Sequence, residues 1–211
     1  MFGELSMTDQ IIKCLLTLEQ MMFDRKYPSW SEQIKNIDKA EVKKTAMLKN
    51  VFHFDMKEES ESHGNIHHQH KLRILFAMQP KFKLSDIKKM IEEDFELTII
   101  VLRDKVSTTN LKSIEEMKKN VGDIQVFHLK ELQFNITHHY LVPHHELLGW
   151  EKENEISEII TDYQVKNKNQ FPIILKTDPV AKYYNAKSGN LFRIYRLSPT
   201  AGQYVFYRSC M

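Results

Sequence analysis

The sequence predicts an α+β protein in two parts: an N-terminal α/β domain whose helices flank a mainly parallel sheet, and a small C-terminal domain of mixed α+β structure. Three observations carry this reading. Short β-branched runs alternate with helical segments from Lys71 to Leu129. The alternation ends near Pro143, which histidine pairs flank on both sides. Past it, a short helix signal leads into two strand-like runs joined by the turn SPTAG.

Taken in order, Ile11, Leu15, Leu18 and Met22, with Ile12, Leu16 and Phe23 beside them, recur at helical spacing from Thr8 to Phe23. Thr8 is the expected cap. A second helix is expected from Ser31 to about Asn50, with a thinner apolar face. HFDMKEESESHGNIHHQH shows no periodicity and reads as an exposed loop. From Lys71 onward, LRILFAM, LSDIKKMIEE, LTIIVLR, NLKSIEEMKKN and IQVFHL read as strand, helix, strand, helix, strand. Continuous β-branched runs with helices between them favour parallel pairing, with both faces of the sheet covered. No glycine-rich phosphate loop follows any of these strands, which argues against Rossmann or P-loop nucleotide binding.

Residues 1–137 therefore form the first expected domain and 138–211 the second. In the second, Ile156, Ile159, Ile160 and Tyr163 mark one face of a helix between Glu151 and Gln164. Asp178 is a good N-cap and Pro179 suits the first helical position, where a missing N–H costs nothing. Asn185 can adopt the left-handed conformation that ends a short helix. Lys187-Ser188-Gly189-Asn190 turns the chain into a strand over Leu191–Leu197, and QYVFYRSC returns as its antiparallel partner.

Composition narrows the function classes. With 42% apolar residues the 211-residue chain can bury a core. It has no apolar run of about 18 residues, and MFGELSMTDQ lacks the pattern of a signal peptide, so neither membrane insertion nor secretion is expected. Cys14 and Cys210 lie near opposite ends without CxxC spacing and read as reduced thiols. The formal net charge is only +2, but no Asp or Glu follows Asp178, whereas Lys182, Lys187, Arg193, Arg196 and Arg208 do. Any acidic partner or nucleic acid is therefore expected to meet the C-terminal third or something beside it.

Four chemical readings compete. His63, His67, His68 and His70 invite a metal, but the flexible Glu- and Ser-rich surroundings lack the fixed ligand spacing of a zinc site, so no metal is expected. Asp86, Glu92, Glu93, Asp94, Glu96 and Asp104 could in principle form a Mg²⁺ nuclease centre. The strand Leu97–Leu102 carries no internal acid or lysine, however, and these charges sit where solvated charge normally collects. A free-standing DNA-binding module would need a more basic N-terminal domain. The last segment carries Tyr183, Tyr184, Phe192, Tyr195, Tyr204, Phe206 and Tyr207 among its cations, which is the composition of a protein interface core. A docking surface is the preferred reading.

FNITHHYLVPHHELL, FPIILKTDPVAKYY, KSGNLFRIYR and SPTAGQYVFYR, in that order, resemble the assembly domain of subunit 5 of eukaryotic RNA polymerases, which has a jawless counterpart in the archaeal enzymes. The resemblance runs from about Phe134 to Met211. From Thr8 to about Thr137 the order of elements, including the helix that ends in DRKYP, resembles the eukaryotic jaw domain, with much weaker sequence similarity.

The resemblance implies a non-catalytic subunit of a multisubunit DNA-directed RNA polymerase, without catalytic residue, cofactor, metal or small-molecule substrate. Its C-terminal domain would dock on the largest subunit, and its jaw would lie near downstream duplex DNA. Carried over by position, His138, His139, Leu141, Val142, Pro143 and His145 match the linker motif. Asp178, Pro179, Ala181, Tyr183, Lys187, Gly189, Arg193, Thr200, Ala201, Gly202, Tyr204, Tyr207 and Arg208 match the assembly-domain core, and Arg196 joins the docking candidates. Tyr140 stands where an acid is usual, Ser188 where a cation is usual, and Asn185 where glycine is common. A diverged jaw beside a well-kept docking domain implies a polymerase of a large DNA virus, with transcription in virions and host cytoplasm; a cellular version would be nuclear.

Overall fold

A computed structural model describes residues 5–59, 69–80, 91, 95–104, 106–149, 152–198, 200 and 202–211. The chain divides into two compact units, Met1–Phe134 and Asn135–Met211.

The first unit opens with α1 (Met7–Asp24), which buries Ile11, Cys14, Leu15, Leu18, Met21 and Met22. Its cap is Ser6 rather than Thr8: the Ser6 Oγ accepts the Asp9 N–H at 3.2 Å, and Thr8 lies inside the first turn. The helix ends as Lys26 turns left-handed (φ 67°) and the Tyr27 N–H reaches back to the Met22 carbonyl. The single helix expected from Ser31 to Asn50 is two, α2 (Pro28–Lys35) and α3 (Lys39–Leu48). Asp38 makes the break, because its carboxylate accepts the Ala40 N–H at 2.9 Å and caps a new helix.

The expected loop from His53 to His70 is also corrected. β1 (Val51–Glu59) and β2 (Gln69–Ala77) pair antiparallel across it. Phe52 and Met56 are buried while His53, Asp55 and Lys57 are more exposed, so the alternation of a strand is present. The histidines from His63 to His68 lie outside the described residues, as do Asp86, Glu92, Glu93 and Asp94 and the helix expected at LSDIKKMIEE. β3 (Leu97–Leu102) and β4 (Asp123–His128) complete a sheet in the order β1-β2-β3-β4, with β2, β3 and β4 parallel. All six β3 residues are buried, which explains why five of them are apolar and the sixth is the β-branched Thr98. Between them α4 (Thr108–Val121) starts on a Ser107 cap. It ends at Gly122, where φ is +100° and a Cβ would sit 2.6 Å from the Phe95 carbonyl oxygen.

In the second unit β5 (His144–Leu148), β7 (Leu191–Ser198), β8 (Gly202–Cys210) and the two-residue β6 (Ile173–Ile174) form a sheet ordered β5-β7-β8-β6. β7 and β8 form the expected antiparallel hairpin. The strand character of β5 and β6 was not visible in the sequence. The α5 helix (Glu153–Asp162) packs Ile156 and Ile159 with Leu148, Phe171, Leu191 and Tyr207. The α6 helix (Pro179–Tyr183) brings Ala181 against Ile174, Phe192, Ile194 and Cys210. Alternation along β7 assigns these two clusters to opposite faces. Cys14 and Cys210 are both buried free thiols, and burial pushes both above the ordinary thiol value.

No helix among the described residues is long and apolar enough to cross a membrane.

Candidate docking surface

The segment that leads into β7 folds by local rules. The Asp178 carboxylate accepts the Val180 N–H at 2.8 Å, Pro179 occupies the first position of α6, and Asn185 is left-handed at φ 54°. The Lys187 N–H then meets the Asn190 side chain, and Gly189 (φ 87°) donates its N–H to the Cys210 carbonyl. This turn sets the β7 register, and Gly202 (φ 68°) closes the far end of the hairpin.

One half of the hairpin is covered by α5 and α6. The other half stands clear: Leu197 is 88% exposed, and Gly202, Gln203, Tyr204 and Val205 are all exposed. On the face shared with α6, Phe206 lies between two cations. The guanidinium carbons of Arg196 and Arg208 sit 5.1 and 5.5 Å from its ring centroid. Arg208 also donates to the Ile173 carbonyl at 2.8 Å. Neither arginine meets a carboxylate among the described residues.

Arg193 behaves differently. It points to the opposite face and is mostly buried, bonding Glu146, Glu155 and the Tyr207 hydroxyl, while Lys152 and Tyr195 also reach Glu146. Burial works against its charge, but the Glu155 and Tyr207 bonds hold the guanidinium above its ordinary value. Its charge is spent inside the unit. Tyr183 is also turned inward, where its hydroxyl accepts the Asn135 amide at 3.0 Å. Phe192 and Tyr207 are core residues as well. The density of aromatic residues in this segment, read from the sequence as more than so small a domain could bury, is therefore divided: part fills two cores, and Tyr204, Phe206 and Tyr195 remain at least partly accessible.

The linker candidates are mostly outward. His138, His139, Tyr140 and Leu141 are exposed, with the His139 ring stacked on Tyr140, whereas Val142 and Pro143 are half-buried. His145 Nδ1–H donates to the Pro143 carbonyl at 2.6 Å, and its ring meets Phe192 edge-on. Among the described residues no group of three or more His, Cys, Asp or Glu is placed to hold a metal ion.

Two of these groups predict how stability follows pH. Burial holds His145 below its ordinary 6.5, the Pro143 bond and Asp178 opposing and Arg196 and His144 adding to the effect. The unfolded chain then takes up the proton first, so this contribution is complete above about pH 6.5 and is lost as pH falls through the folded value. Burial disfavours the Glu146 carboxylate, yet Lys152, Tyr195 and Arg193 hold it below the ordinary 4.5. That contribution is present above about pH 4.5 and is lost further into acid. Thermal melts of the full chain against pH should therefore fall in two steps. His145→Gln should flatten the upper one and Glu146→Gln the lower.

The RNA polymerase Rpb5 C-terminal domain family matches residues 134–210, which cover this sheet and both its helices. A Dictyostelium discoideum protein, DNA-directed RNA polymerases I, II, and III subunit rpabc1, is 35% identical over 143 residues, 65% of this chain and 71% of that protein. The chain belongs to the Rpb5 family. The RPABC1 subunits of Caenorhabditis briggsae and Caenorhabditis elegans are each 32% identical over 139 residues, 64% of this chain and 64% of their own length. Rpb5 proteins are non-catalytic subunits of DNA-directed RNA polymerase.

Proposed function

We propose that this Rpb5-family chain is a structural subunit that docks its C-terminal unit on the largest subunit of a DNA-directed RNA polymerase, its N-terminal unit serving as a jaw beside downstream duplex DNA. One observation carries the docking half. The half-buried Arg196–Phe206–Arg208 stack borders the uncovered part of the hairpin, in a segment where no carboxylate follows Asp178. Cations that meet no carboxylate among the described residues and stack on an aromatic ring fit an acidic patch on a protein neighbour. The jaw half is supported by α3, which buries only Val42 and exposes Lys39, Lys43 and Lys44, cations suited to phosphate contact once assembly brings DNA close.

A viral setting is the finer part of the proposal. Tyr140, Asn185 and Ser188 depart from the usual family residues, and the described similarity to cellular relatives spans about two thirds of the chain. We take the chain to be most like the African swine fever virus homologue, acting in virions and host cytoplasm; in a cellular setting it would act in the nucleus.

The test is affinity purification of the tagged full chain. The wild type should retain the two large polymerase subunits, and Arg196→Glu with Arg208→Glu should lose at least tenfold of them while melting like the wild type. A wild-type chain that elutes alone from cells transcribing normally would sink the proposal.

A further inference from the structure

Among the described residues, much of the outer edge of β8 has no neighbouring strand. β7 pairs with it from Gly202 to Ser209, but β6 reaches only Ser209 and Cys210. The Ser209 N–H donates outward to the Pro172 carbonyl and the Cys210 N–H inward to the Asn190 carbonyl. Alternation then turns the N–H and C=O of Gln203 and Val205 outward, where no backbone partner meets them among the described residues. Proteins commonly blunt such edges with charge, proline, a bulge or a covering segment. β1 shows one such device, since Gln33 closes on both the N–H and the C=O of Lys57. Over Gly202–Phe206, β8 carries no charge and no proline.

The side chains along this edge are sorted by face. Tyr204, Phe206 and Arg208 share a face with Arg196, while Val205 lies opposite, on the face of the exposed Leu197. We infer that β8 takes up an extended segment of the partner polypeptide as a fifth strand of this four-stranded sheet, in the lane that β6 leaves open. The alternate side chains of that segment are acidic on the Arg196–Arg208 face and apolar on the Val205 face. This rests on the docking reading above and names its contact: main-chain pairing supplies the register, and the two arginines select for charge.

Val205→Pro tests it. The Val205 N–H bonds nothing among the described residues, so proline removes one outward donor and leaves the β7–β8 bonds in place. The full-length variant should melt close to wild type yet retain at least tenfold less of the large subunits, and Val205→Thr should retain them. In wild type, residue-resolved hydrogen exchange at Gln203 and Val205 should slow at least tenfold in the assembled polymerase relative to the free chain. Unchanged exchange on assembly overturns the inference, and this measurement decides if the proline variant misfolds. If exchange is unchanged while Arg196→Glu with Arg208→Glu still releases the polymerase, docking stands without strand addition. If that pair also leaves binding intact, the docking reading itself falls.

Discussion

Phe192→Ala should destabilise the C-terminal unit by about 3–5 kcal/mol, the largest single-residue loss expected in this half of the chain. Phe192 is fully buried between Ile174, Ala181, Ala186, Ile194 and Cys210, with the Tyr184 and His145 rings each 6.1 Å away. Truncation removes the ring's burial and also leaves a cavity, because Ala181 and Ala186 are too small to fill it. The five-residue α6 depends on this cluster: a helix that short has almost no stability of its own in water. A unit of this size has only a few kcal/mol to lose, so the melting transition should fall by roughly 15 °C or more. Calorimetry of the full chain would show it. Leu197→Ala on the same strand should change stability by about 0.5 kcal/mol or less, since Leu197 is almost fully exposed. If the two variants melt alike, the assignment of faces on β7 is wrong.

How much of this could be read beforehand depended on how local the cause was. The Asp178–Pro179 start of α6, the left-handed Asn185 and the β7–β8 hairpin were legible because each is set by a few adjacent residues. So was β3, whose six buried residues leave a run of β-branched residues and leucine without a charge. β1 was not, because His53, Asp55, Lys57 and Glu58 mask the two-residue period of Phe52 and Met56 in a weighing by polarity. The gap between α2 and α3 hid in the same way, Asp38 being one charge among many until its bond to Ala40 is seen. At the candidate site the information missing from the sequence is nonlocal. A cluster of arginines and tyrosines in sequence does not say which are already engaged, and the partners of Arg193 lie 47 and 38 residues away at Glu146 and Glu155. Only the fold separates Arg193 from Arg196, and so separates a structural ion network from a surface that can meet a partner.

The same distinction governs Arg73 in the N-terminal unit, where Arg73→Ala should cost about 3 kcal/mol, read from urea unfolding. Arg73 lies on β2 between β1 and β3 and is buried. Its guanidinium forms a two-pronged bond to Asp55 at 2.7 and 2.8 Å and stacks 4.1 Å from the Phe95 ring centroid. Burying a guanidinium is costly, and this geometry offsets part of the cost. Alanine removes the charge but strands the partly buried Asp55 carboxylate and uncovers the Phe95 ring. Arg73→Met should therefore lose distinctly less than Arg73→Ala, because its chain still covers Phe95, and Arg73→Met with Asp55→Leu less still, because the Asp55 carboxylate is not left behind. A carboxylate stranded by truncation predicts that ordering, whereas a net attraction between the two charges predicts that the double variant is the least stable of the three.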